Sequence, residues 1–164
     1  MWRTWSLLIL ILLPFIAFGG SNELQKEATL PATTAVRLQQ LSVHSDSLVR
    51  RAVASNRRAP ADLLGSLAMD PEPGVRIALA TNLSTPARVQ LQLAEDPDKS
   101  VRSVLARFEY VSGEALAILA KDTEAGIRYE VAANWNTTTD TLHLLQQDSF
   151  EDVRIRATQA LSQR

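Results

Sequence analysis

The chain has 164 residues, a formal charge of −1, 46% hydrophobic residues and 21% charged ones, enough for one domain with a substantial core. Its near-neutral balance lacks the basic stripe that nucleic-acid binding usually needs, so no nucleic acid is expected among its partners. Cysteine is absent, which removes disulfides, thiolate metal sites, cysteine nucleophiles and a lipid-modified amino-terminal cysteine.

Met1-Trp2-Arg3 supplies one positive charge, and Leu7 to Phe18 is then apolar apart from Pro14. Ala17-Phe18-Gly19 places small residues where a signal peptidase reads. Residues 1–20 are therefore expected to be a secretory signal peptide, and the protein to be exported (periplasmic or secreted). The twelve apolar residues fall short of the ~20 that span a bilayer as a helix. Left uncleaved, the same segment would anchor the chain at a membrane, the one membrane contact expected. Residues 21–33 are polar, carry Pro31 and predict a linker. Residues 34–164 hold everything that follows.

Val49-Arg50, Val75-Arg76, Val101-Arg102, Ile127-Arg128 and Val153-Arg154 recur at an unbroken 26-residue spacing. A fixed period in this range marks a stacked repeat protein, in which each unit buries its apolar face against its neighbours. Other columns keep the register: Leu41, Leu67, Leu93, Leu119 and Leu145; then Val53, Leu79, Leu105, Val131 and Ala157; then Ala54, Ala80, Ala106 and Ala132; then Asn56, Asn82 and Asn134.

The second unit shows the physical logic. Val75 and Leu79 stand four apart on one helical face. Asn82 is expected to end that helix in the left-handed conformation that asparagine tolerates. Thr85 is expected to cap the next helix, with Pro86 in its first turn, where a missing N–H costs nothing. Val89, Gln90 and Leu93 then follow at helical spacing, and Asp96-Pro97-Asp98 turns into the next unit. Two helices per unit, each of two to three turns, are too short to be stable alone, and some could form as 3₁₀ turns. The prediction is an all-α solenoid of about five helix pairs. The array is expected to open with the helix beginning at Thr34 and to close on one with a polar outer face, including Gln159, Gln163 and Arg164.

The pattern Ala-x-Asn-x-x-Thr-Pro, then Leu-Ala-x-Asp-Pro-x-x-x-Val-Arg, is carried best by Ala80-Thr81-Asn82 with Thr85-Pro86, and by Leu93-Ala94-Glu95-Asp96-Pro97 with Val101-Arg102. It resembles the leucine-rich repeat variant family and the wider HEAT-like group over about residues 34–164. The resemblance implies a right-handed superhelix of helix pairs serving as a binding scaffold, with no fixed partner. Phe108 replaces Asn and Val111-Ser112 replaces Thr-Pro in the third unit, which predicts a different turn there.

Arg76, Arg102, Arg128 and Arg154 each follow an acid by six residues: Asp70, Asp96, Asp122 and Asp148. Stacked units bring these arginines into a row, tolerable where carboxylates interleave, and the planar guanidinium suits bidentate pairing. A structural ladder joining adjacent units is the expectation, with an anion-binding strip as the sharper alternative. In the ladder Arg102 is expected to carry Asp96. His44 breaks the acid column, with Asp46 a substitute for it.

No catalytic, cofactor or metal site is legible. His44 and His143 lack metal-ligand spacing with other His or carboxylate residues. No glycine-rich phosphate loop occurs, Leu64-Gly65-Ser66-Leu67 is no nucleophile elbow, and Asp96-Pro97-Asp98 lacks the other ligands of a calcium loop. Asn82-Leu83-Ser84 and Asn136-Thr137-Thr138 match the glycosylation sequon.

Beyond residue 20 the aromatics are Phe108, Tyr110, Tyr129, Trp135 and Phe150. Tyr110 and Trp135 fall at nearly the same turn of consecutive units, and Tyr129 lies off the apolar seam. With Arg107 they outline an interface for an unidentified protein partner. The bland alternative puts Phe108 and Phe150 in the core and folds Trp135 over its turn. The functional expectation is a non-catalytic exported scaffold. Its rivals are a membrane-anchored structural or assembly protein and, as the HEAT-like resemblance permits, an enzyme on such a frame.

Overall fold

The structure is a computed structural model that describes residues 20–164; the segment expected to be a signal peptide lies outside the described residues apart from Gly20. The helices are α1 (Ser21–Thr29), α2 (Ala35–Leu41), α3 (Ser47–Ser55), α4 (Ala61–Leu67), α5 (Pro73–Ala80), α6 (Ala87–Ala94), α7 (Lys99–Arg107), α8 (Gly113–Leu119), α9 (Ala125–Ala133), α10 (Thr139–Leu145) and α11 (Glu151–Ser162). All are α-helices, and no strand occurs among the described residues. Five pairs, α2/α3 to α10/α11, repeat down the chain as a helical solenoid.

The odd-numbered helices form one layer, each packed on the next from α1 to α11, and each even-numbered helix packs on its neighbours in the chain. At one junction two even-numbered helices also meet closely: α6 lies directly on α8. The columns read from the sequence are the core. Val49, Val75 and Val101 are fully enclosed, as are Val53, Leu79, Leu105, Val131 and Ala157. The leucine column from Leu41 to Leu145 is buried throughout. Helices of seven to twelve residues persist because neighbours cover these faces, not through intrinsic helicity.

The expected linker over residues 21–33 is instead largely helical. α1 packs on α3 as α3 packs on α5, and Ala28, one period before Ala54, is fully buried. Among the described residues the segment is a half-unit that packs on α3 and α2. Its mostly polar sequence keeps few of the repeat columns, which is why it carries no repeat signal. Glu27 and Arg37 tie it to α2 through a two-pronged ion pair at 2.7 and 2.9 Å.

Three turn expectations are corrected. Asn82 does not end α5, whose C-cap residue is Thr81 with φ −109 and ψ 0, and the equivalent Asn56 and Asn134 end their helices with φ −75 and extended backbone, not left-handed. Phe108 has nearly the same backbone, φ −70 and ψ 129, so the third unit keeps the common turn. Thr85 is not the cap either: Pro86 is the N-cap residue, and Thr85 Oγ1 donates to the Leu79 carbonyl at 2.7 Å.

Candidate interaction edge

Two systems of side chains lock each unit to the next, one along each edge of the stack. On the first edge runs the arginine–aspartate ladder. Arg102 Nε donates to Asp122 Oδ2 at 2.6 Å and Nη2 to Oδ1 at 3.2 Å, while Nη1 donates to the Asp96 carbonyl at 2.7 Å. Arg76 treats Asp96 and the Asp70 carbonyl alike, and Arg128 does so with Asp148 and the Asp122 carbonyl. Arg50 pairs with Asp70. Arg76, Arg102 and Arg128 thus each take the carboxylate of the following unit, and the acid six residues before contributes only its backbone oxygen. That corrects the expected Arg102–Asp96 pair.

The reason is directional. Each aspartate's Oδ1 also accepts the backbone N–H two residues on, as Asp122 does from Glu124 at 2.9 Å, which aims the carboxylate back at the preceding unit. At His44 the ring Nδ1 accepts the Asp46 N–H instead. Asp46 does not replace the missing acid; it caps α3 through Leu48 N–H at 2.8 Å. Arg154 closes the row with Nη1 on the Asp148 and Ser149 carbonyls and no carboxylate among the described residues.

Burial pushes the Asp122 carboxyl up, but hydrogen bonds from Arg102 and Glu124 N–H, together with the arginine's charge, hold it below the ordinary aspartate range. Asp70 is lowered by the same balance with Arg50 and Glu72 N–H. At Asp148 the Arg128 hydrogen bond is the leading cause of the lowering. The guanidinium edges are already occupied by protein carboxylates, so the row from Arg50 to Arg128 offers no open strip for anions.

The second edge is built by asparagine. Asn82 Nδ2 donates to the Ala54 carbonyl at 2.7 Å and the Asn56 carbonyl at 3.1 Å, and its Oδ1 accepts from Ser84 N–H. Asn56 grips Ala28 and Leu30 in the same way, and Asn134 grips Ala106 and Phe108. Two residues further on, Ser84 Oγ donates to Arg57 O at 2.6 Å, and Asn136 Nδ2 reaches Glu109 O and Val111 O. The amide of Asn82 is buried and committed to these bonds.

At Phe108 and Tyr110 both clamps are missing, since each aromatic stands where a hydrogen-bonding residue stands elsewhere. Gln90 substitutes from α6. Its Nε2 donates to Tyr110 O at 3.3 Å and its Oε1 accepts Ser112 N–H at 2.8 Å. Gln90 occupies the column of Leu64 and Leu116, a polar residue on a buried face. Its departure from the leucine column was the one available sequence signal of this role.

The aromatics divide by place. Tyr110 and Trp135 stand on the asparagine edge, 63% and 75% exposed. Phe108 is partly buried against the core, its ring 5.8 Å from that of Tyr110. Arg107, exposed, lines a notch of about 340 Å³ with Thr81, Val104, Phe108, Glu109 and Tyr110. Trp135 is not folded over its turn; the Arg164 guanidinium lies 5.8 Å from its ring. Tyr129 is exposed on the outer face of α9 and makes no ring contact with the other two. Phe150 is exposed beside Arg128 on the ladder edge, outside the core. Arg107 and Tyr110 thus share the notch, Trp135 stands further along the same edge beside Arg164, and Tyr129 lies apart from both. A broader groove of about 750 Å³ lies between the α6 and α8 ends, lined by Pro97, Ile118 and Lys121 among others.

Among the described residues no group of three or more His, Cys, Asp or Glu side chains is arranged to hold a metal, and no helix is long and apolar enough to cross a membrane.

Residues 48–72 match the family model of the leucine rich repeat variant. The match spans one unit, and the other units carry the same columns in register. No curated protein matches the chain in sequence. Among solved structures, "a leucine-rich repeat variant with a novel repetitive protein structural motif" is 17% identical, covering 85% of this chain and 81% of that one at a TM-score of 0.40.

Proposed function

We propose that this protein is an exported, non-catalytic repeat scaffold that binds another protein through the edge carrying Arg107, Tyr110 and Trp135. One observation carries the reading: Tyr110 stands exposed in the column where Ser84 and Asn136 clamp the stack, and Trp135 stands exposed beside Asn136 on the same edge. Exposed aromatics beside arginine are what binding hot spots are made of. The ladder edge, by contrast, spends its charged groups on holding units together.

Export rests on the apolar run from Leu7 to Phe18 behind Arg3. Intact mass of the native protein tests it: loss of about the first twenty residues is the expected result, and a full-length mass supports membrane anchoring instead. Binding is tested by photo-crosslinking in the native host. A photo-reactive amino acid at position 110 or 135 is expected to trap a discrete protein, whereas one at Arg57 or Lys121 is not. Equal capture from all four positions removes the edge as the binding surface.

A further inference from the structure

We infer that the turn from His44 to Asp46 is a proton-released latch: charging the His44 imidazole frees the first turn of α1 from α3 and leaves the rest of the stack in place. The repeat supplies its own comparison. In the later units an aspartate occupies the His44 column, and its Oδ1 accepts the backbone N–H two residues on, at 2.9, 2.8, 2.9 and 2.9 Å for Asp70, Asp96, Asp122 and Asp148. A carboxylate keeps that role down to about pH 4. At position 44 the acceptor is an imidazole nitrogen, with Nδ1 3.0 Å from the Asp46 nitrogen.

Nδ1 accepts only while it carries no proton, so the closed turn needs a neutral ring with its hydrogen on Nε2. A charged imidazole has a hydrogen on both nitrogens and leaves the Asp46 N–H without an acceptor. Histidine ordinarily changes charge between about pH 5 and 8, well above the range of aspartate. The exchange of residue leaves the ladder intact, because position 24, one period before Arg50, is leucine and needs no carboxylate.

What the turn holds decides what is released. Asp46 caps α3 by accepting Leu48 N–H at 2.8 Å. Ser21, at the start of α1, acts on the same carboxyl: its hydroxyl hydrogen bond is the leading cause that keeps Asp46 below the ordinary aspartate range, ahead of Leu48 N–H. The other end of α1 is fastened independently, by Asn56 on the Ala28 and Leu30 carbonyls and by the Glu27–Arg37 pair. Shifting the turn therefore loosens the helix around Ser21 and spares it from Glu27 onward.

The charged groups nearby do not reverse the sign. Asp46 lies two residues from the ring whether the turn is open or closed, so its pull on the imidazolium is common to both forms. Arg50 donates to the His44 carbonyl at 2.8 Å, and its charge is answered by Asp70 and Glu72 of the next unit. On α1, Glu23 pairs with Lys26, and Glu27 with Arg37 of α2. The closed turn thus takes up the ring proton less readily than the open one, and falling pH favours opening.

Hydrogen exchange on the full chain tests this, read as opening equilibria after correction for the intrinsic pH dependence of exchange. Between about pH 8 and 5.5, opening at the Asp46 and Leu24 amides should rise at least about fivefold, while the amides of α5 and α7 stay level. His44→Asn, whose amide oxygen accepts at every pH, and His44→Asp, the residue of the other units, should both remove the rise. His143→Asn should keep it. Nitrogen NMR of the ring should find its hydrogen on Nε2 at about pH 8. A level response in the native chain, a rise that persists in either variant at position 44, or a hydrogen on Nδ1 at alkaline pH overturns the inference.

Discussion

Arg102 reaches forward twenty residues to grip the carboxylate of Asp122, while Asp96, six residues behind it, gives the guanidinium only a backbone carbonyl. The ladder is therefore a chain of inter-unit ties. The side chains of its interior pairs are largely enclosed, at 15% and 4% exposure for Arg102 and Asp122.

Removing one partner leaves the other charge buried and unpaired. Arg102→Ala is expected to lower stability by about 2–4 kcal/mol, and Asp122→Asn by a smaller amount because a hydrogen bond survives. In urea unfolding the double variant should lose clearly less than the sum of the two. Additive losses would show that the two residues act independently.

Acid should weaken the stack through the same carboxylates. Asp70, Asp122 and Asp148 titrate below the ordinary aspartate value of 3.8, so the unfolded chain takes up protons first. Their contribution is complete above the unfolded value and is lost as pH falls through the lower folded values. Unfolding midpoints should stay level from neutral pH to about 5 and drop steeply below about 4. Asp122→Asn should flatten part of that drop, and an unchanged slope would exclude Asp122 as a source of it.

The asparagine clamps predict a position-dependent cost. Asn82→Ala removes the donor for two carbonyls and the acceptor for Ser84 N–H, an expected loss of about 1–3 kcal/mol. Gln90→Leu restores the common leucine but strips Tyr110 O and Ser112 N–H of their partner, an expected loss of about 1–2 kcal/mol. In a Phe108→Asn background, where the common clamp is rebuilt, that loss should shrink. An equal loss in both backgrounds argues against Gln90 as the substitute clamp.

Trp135 should report its exposure directly. The difference spectrum between the native chain and Trp135→Phe is expected to show red-shifted emission that acrylamide quenches readily. Blue-shifted, quencher-resistant emission would place the ring indoors and remove it from the edge.

The 26-residue register named the core before any coordinates, because burial by identical neighbours imposes the same apolar residue at the same place in every unit. Val75, Leu79 and Leu93 needed only their columns to be placed inside. The arginine column was legible too, but its partner was not. Spacing along the chain pointed Arg76 at Asp70, whereas stacking brought Asp96 to it, a choice made by three-dimensional direction. The role of the asparagines escaped for the same cause: their side chains act 26 and 28 residues away, across a junction that no local rule describes. Helix α1 was invisible because its mostly polar sequence keeps few of the repeat columns, Ala28 being the buried exception. The notch beside Phe108 required the full stack, since it is formed by the absence of contacts that neighbouring units make. Periodicity in one dimension determines which residues repeat; only packing in three decides which of them touch.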